Sequence, residues 1–230
     1  MSRNQNRPLT RGRDLNHVAW LYDPLIEKLS FGREQRFRAK TMTLLDLFPE
    51  ARVLDVGCGT GTLTLMIADA LDNQGEIIGI DAAPRMIAIA RKKALSSGSV
   101  AQFRVGIAEQ LDFADNYFDL TVNSMFTHHI DRELKQCFFR EAWRTLKPGG
   151  RLITADIDRP TKLSAWITGW FGRYLLLQPE LEDNLRGQLP LLMGGAGFVE
   201  IQRLAHLHGM ITFFSAQKPL ADPPGGTQCK

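Results

Sequence analysis

The residues best placed to do chemistry lie in Val53–Thr64, VLDVGCGTGTLT, where Asp55 comes just before Gly57, Gly59 and Gly61 and Cys58 sits between the first two glycines. Glycines in such a turn reach backbone angles closed to other residues and leave bare peptide for a ligand to approach. Thr62 opens an apolar-periodic run, so helix N-terminal amides would face the same ligand. The spacing is G-x-G-x-G and not the G-x-G-x-x-G of a dinucleotide turn, and an acid this close disfavours a pyrophosphate. It suits a ligand that carries a cation. No Gly-Lys-Ser/Thr follows, which excludes a phosphate-binding P-loop. A glycine-rich strand-to-helix turn without a ligand is the plain alternative.

Other candidate groups recur at the ends of apolar runs. Asp81 closes EIIGID, where a carboxylate can accept from both hydroxyls of a ribose or cap the next helix. Asn123 and Ser124 end a fourth strand, at the carboxyl edge where open α/β sheets bind ligands. His128 and His129 follow in a loop closed by Asp131 as a helix cap, and they offer either a structural pair or a general base. Asp156 and Asp158 stand at and after the end of RLITADI, placed to position an acceptor, take its proton, or cap a helix. If a base is needed, the order of candidates is His128, His129, Asp156.

These groups need strands and helices in alternation, and the periodicity supplies them. Helical spacing covers about 14–29, with Pro24 as a break, then 33–48, 62–71, a run from Pro84, and 131–146. Strand character marks Val53–Val56, EIIGID, 100–105, the stretch after Asp119, RLITADI, and two runs that flank His206–Gly209. The segment after 160 carries Leu163, Trp166, Ile167, Trp170, Phe171, Tyr174 and Leu175 at helical spacing, about 22 Å of apolar stripe and too short to span a bilayer. By itself it reads as core packing or an interfacial membrane helix.

At 230 residues the chain suits one α/β domain with additions, and its hydrophobic fraction of 44% is ordinary for a soluble protein. The start MSRNQNRPLTRGR lacks the apolar core of a signal peptide, so the cytoplasm is the expected compartment. Cys58, Cys137 and Cys229 are odd in number and never in C-x-x-C spacing, which suggests neither disulfides nor a zinc site. A net charge of +3 without an aromatic-interleaved basic motif gives no support to nucleic-acid binding. Early basic residues from Arg3 to Lys40 read as a solvated face or as attraction to an anionic lipid surface, hence a peripheral contact with the inner membrane surface.

The glycine loop resembles the first motif of class I S-adenosylmethionine (SAM) dependent methyltransferases. AWLYDPLIEKLSFG, GIAEQLDFADNYFD and LKPGGRL are similar to further motifs of the ubiquinone/menaquinone biosynthesis and phospholipid methyltransferase group. The resemblance implies SAM as cofactor, its methionine part on Asp55, Gly57, Cys58, Gly59 and Gly61, its ribose on Asp81, and its adenine near Ala82 and Met86. It implies Tyr22, Ala108 and Asn123 as cofactor-side residues. Ile107 stands where the family usually has an Asp that accepts from the adenine amino group, so adenine must be held in another way.

The implied fold is α/β, a Rossmann-like seven-stranded sheet, mostly parallel with the last strand antiparallel, under helical N-terminal and cap additions. The domain would cover 13–218 between disordered tails 1–12 and 219–230, with a cap at about 160–195 that shapes the acceptor pocket. The implied function is methyl transfer to a small-molecule acceptor with an apolar body, quinone- or lipid-like. A non-catalytic SAM-binding sensor or partner subunit is the alternative.

Overall fold

The computed structural model describes Thr10 and residues 33–175 and 178–220, with the side chains of all but 33, 168 and 172–175. Tyr22 and the helix expected over 14–29 lie outside the described residues. Helix α1 (Arg33–Leu45) leads into β1 (Arg52–Val56), α2 (Thr62–Ala70), β2 (Glu76–Asp81), α3 (Pro84–Ser97) and β3 (Gln102–Val105). After these come β4 (Phe118–Ser124), α4 (Arg132–Thr145), β5 (Leu146–Ile157) and α5 (Leu163–Leu175). The chain then forms α6 (Glu182–Leu185), α7 (Leu189–Gly195), β6 (Val199–Leu207) and β7 (Ile211–Gln217). The seven strands form one sheet in the order β3-β2-β1-β4-β5-β7-β6. The pairs from β3 through β5 are parallel, and β7 runs antiparallel to both β5 and β6. The chain moves outward from β1 to β2 and later returns to β1's other side with β4, and ligands bind beyond the carboxyl ends at such a reversal.

Side chains alternate across the strands, and each face finds its helices. Leu54, Val56, Ile78 and Ile80 face a core with Phe138 and Phe139 of α4 and Leu189 and Met193 of α7. Val53, Ile77, Leu120 and Val122 face the opposite core, with Ile67 of α2 and Ile87 and Ala90 of α3. Element starts follow local chemistry. Pro84 occupies the first turn of α3, where a missing N–H costs nothing, and Asp131 Oδ1 accepts from Leu134 N at 2.9 Å to cap α4. One boundary differs from the sequence reading: Lys147-Pro148-Gly149-Gly150 is the opening of β5 and not a turn before it. Backbone bonds from Gly149 N to Lys218 O (3.0 Å) and from Lys218 N to Gly150 O (2.9 Å) draw it into the sheet, and the β4–β5 register shifts beside it.

Candidate active site

The carboxyl ends of β1, β2 and β4 open into a cavity of about 610 Å³, and the glycine loop forms its floor. Two of the loop glycines are required by close approach. Gly57 (φ 74°) and Gly61 (φ 78°) are left-handed, and a Cβ on either would sit 2.5 Å from the ring of Phe126 or Phe103 respectively. A Cβ at Gly59, which also lines the cavity, would instead meet no atom within 4 Å, so the loop leaves room there. Gly57 N and Cys58 N both donate to Ile80 O at 2.9 Å, which fixes the turn to the end of β2.

Two carboxylates flank this floor. Asp81 lines the cavity; its Oδ2 accepts from Gly59 N (2.9 Å) and its Oδ1 from Ala83 N (2.8 Å), so it ties the loop to the start of α3. Asp55 is 1% exposed, and its Oδ2 accepts from Thr64 Oγ1 at 2.6 Å. Burial pushes the Asp55 carboxyl up to about 7; the Thr64 bond opposes this, the charge of Asp81 adds to it, and Arg38 opposes it. Arg38 reaches the cavity from α1, paired with Glu34. Burial also pushes the Cys58 thiol well above its usual range, with Asp55 and Asp81 adding to the shift, which disfavours the thiolate.

Ala82, Met86 and Ala108 line the cavity beyond Asp81, but Ile107 does not; it pairs across a small bridge with Gln110. Glu109 does line it, and its Oε1 accepts from Thr10 Oγ1 at 2.6 Å. Thr10 thus stands at the site, within the stretch expected to be a disordered tail. Asn123 is fully buried under the floor, with its Oδ1 accepting from Thr154 Oγ1 at 2.8 Å, and the cavity is lined by Ser124 instead.

The opposite wall is built by the short helical turn Thr127–His129. His128 is 8% exposed and lines the cavity, with its Nδ1 2.6 Å from Asp156 Oδ1. Asp156 is fully buried; its Oδ2 accepts from Phe126 N, Thr127 N and Thr127 Oγ1 at 2.9, 2.5 and 2.7 Å, and its Oδ1 also from Ile157 N at 2.7 Å. Burial alone would raise this carboxyl, but the facing imidazole and the hydrogen bonds hold it down at about 2. An ionised Asp156 has no proton to give, so His128 Nδ1–H is the donor, and in the neutral ring the lone pair lies on Nε2. His129 lines the cavity beside it, with ring centroids 4.0 Å apart. Asp158 faces elsewhere and accepts from Arg203 Nη2 and Thr212 Oγ1 at 3.0 and 2.8 Å.

The rim is completed by His208, Met210 and Ile211 at the turn between β6 and β7. Neither this turn nor Phe37 and Arg38 of α1 carried a local signal; only the fold brings them to the glycine loop. Among the described residues no group of three His, Cys, Asp or Glu could hold a metal.

A family model for a methyltransferase domain matches residues 53–150. A demethylmenaquinone methyltransferase of Thermus thermophilus is 34% identical over 203 residues, covering 80% of this chain and 90% of the relative. The chain belongs to the class I SAM-dependent methyltransferases. It falls in their ubiquinone/menaquinone biosynthesis group, as a demethylmenaquinone methyltransferase of Bacillus cereus, 31% identical over 62% of this chain and 60% of that protein, also indicates. A solved SAM-dependent methyltransferase of Methanosarcina mazei shares the fold with a TM-score of 0.60 and 25% identity, over 76% of this chain and 95% of that one.

SAM is therefore the cofactor of this methyltransferase, and the site's donor set fits it. Two carboxylates suit an ammonium and a ribose diol, a guanidinium suits a carboxylate, and the space left at Gly59 suits a ligand lying against bare peptide.

Proposed function

We propose that this methyltransferase methylates a ring carbon of a lipophilic quinol of demethylmenaquinone type. The relative from Thermus thermophilus, aligned along 80% of this chain, supports the acceptor class. The observation that carries the mechanism is the His128–Asp156 pair, whose Nε2 lone pair belongs to a residue of the cavity wall. In this reading Asp55 holds the ammonium of SAM, Arg38 its carboxylate, Asp81 its ribose, and Ala82, Met86 and Ala108 pack on the adenine. Ile107 accepts nothing from the adenine.

When bound, SAM would supply an electrophilic methyl group and depart as S-adenosylhomocysteine when the sulfur–methyl bond breaks. The acceptor carbon must be electron-rich to attack it, which a quinol ring becomes when a hydroxyl loses its proton; after the attack that carbon gives its own proton to solvent and the ring oxygen is reprotonated, which restores the aromatic quinol. His128 Nε2 takes that proton as general base, and ionised Asp156 stabilises the imidazolium through Nδ1–H. Asp156 is thus a positioning residue, since it is fully buried and does not line the cavity. Alignment and proton removal are then the protein's contribution.

Purified protein with methyl-labelled SAM and a short-chain demethylmenaquinol is expected to yield a labelled quinol. His128→Gln should lower kcat by about 10²- to 10⁴-fold with little change in the KM for SAM. A quinol that stays unlabelled while the protein binds SAM would overturn the acceptor, and His128→Gln turnover within threefold of the parent would overturn the base.

A further inference from the structure

Helix α5 does not line the cavity with any described side chain; four of its apolar side chains face outward, and Trp170 between them is half-buried. Leu163, Trp166, Ile167 and Phe171 are 75%, 52%, 54% and 57% exposed, while Ala165 and Gly169 are buried. At about 100° per residue the four exposed residues share one side, with Ala165 and Gly169 opposite. The small inner side explains the orientation: a Cβ at Gly169 would fall 2.7 Å from Leu185 Cδ2 and 3.7 Å from Met210 Cε, leaving no room there for an aromatic ring.

We propose that this outward face docks the enzyme on an anionic membrane surface. Charge supports that occupant: from Arg159 to Pro179 the sequence carries Arg159, Lys162 and Arg173 and no acid, and Arg159 and Lys162 are exposed. Trp and Phe above a basic flank are the composition of an interfacial helix. Position supports it too. Thr161 N donates to Gly209 O at 2.8 Å, joining the start of α5 to the turn whose His208 and Met210 form the cavity rim. A bilayer on α5 therefore lies beside the cavity mouth, where an acceptor with an apolar tail leaves the membrane; in this respect the inference rests on the lipophilic acceptor proposed above.

The test is co-sedimentation of the full chain, without acceptor, with vesicles of phosphatidylcholine alone or mixed with phosphatidylglycerol. Binding is expected only to the mixed vesicles, to weaken as salt rises, and to fall at least tenfold in Trp166→Glu/Ile167→Glu. Lys162→Glu, which leaves the apolar face intact, should lower partitioning about fivefold or more. No binding to either vesicle, binding unchanged in both variants, or a dimer that Trp166→Glu/Ile167→Glu dissociates in place of vesicle binding would overturn the proposal. Turnover of a water-soluble short-chain quinol is read in parallel. Its loss in the parent protein defeats the acceptor reading alone, and lost vesicle binding with intact turnover defeats the docking alone.

Discussion

Lowering the pH should release SAM by neutralising Asp55. The Asp55 carboxyl is 1% exposed and titrates at about 7, because burial outweighs the Thr64 bond. A protonated Asp55 offers no charge to an ammonium, so binding must first remove that proton. If the bound state holds Asp55 ionised throughout, SAM affinity falls about tenfold per pH unit below 7, or roughly eightyfold (about 2.6 kcal/mol) between pH 7.5 and 5. The ligand's own amine, with an ordinary α-amino pKa of about 7.7–8.0, is mostly protonated across this window, and its partial deprotonation at pH 7.5 reduces the eightyfold figure by less than about twofold. Calorimetry in two buffers of different ionisation enthalpy should report a net release of about 0.4 proton at pH 7 and about 0.9 at pH 6. Asp55→Asn should bind weakly and without this slope, and Thr64→Val should move the midpoint upward by removing the bond that lowers it. A flat affinity from pH 5 to 7.5, or an unchanged slope in Asp55→Asn, refutes the reasoning. The sign for the ligand-free chain is also fixed. The folded pKa lies above the unfolded one, so stability declines as pH rises from about 4 to about 7, by up to about 4 kcal/mol.

Gly61→Ala puts a methyl 2.5 Å from the Phe103 ring at a left-handed position. The conformational cost of about 1–2 kcal/mol adds to about 1–3 kcal/mol of overpacking, and denaturant unfolding should show a loss of about 2–5 kcal/mol. A loss under about 0.5 kcal/mol would mean that the loop has slack this structure does not show. Asp81→Ala removes the proposed ribose acceptors together with the anchors of Gly59 N and Ala83 N. SAM affinity measured by calorimetry should weaken on the order of a hundredfold or more, and unchanged affinity would sink the assignment.

The sequence by itself determined whatever depends on neighbours along the chain. Glycine spacing, the acids at the ends of β1, β2 and β5, Pro84 at a helix start and Asp131 at a helix cap are local signals, and each element they mark is present. Asn123 shows the limit. Its place at the end of β4 was legible, but its side chain points under the floor, because the pleat aligns it with Thr154 across the β4–β5 pair. Tertiary structure alone decided which distant groups meet. His128 and Asp156 are 28 residues apart, and only the parallel pairing of β4 and β5 sets the loop after one strand against the end of the other. Arg38 and His208 reach the same cavity from opposite ends of the described chain, and neither has a spacing to announce it. Helix α5 carries an apolar stripe in the sequence, but whether that stripe is core or surface is decided by the space beneath Gly169. Periodicity fixes which residues share a side of a helix, and only packing fixes which side turns inward.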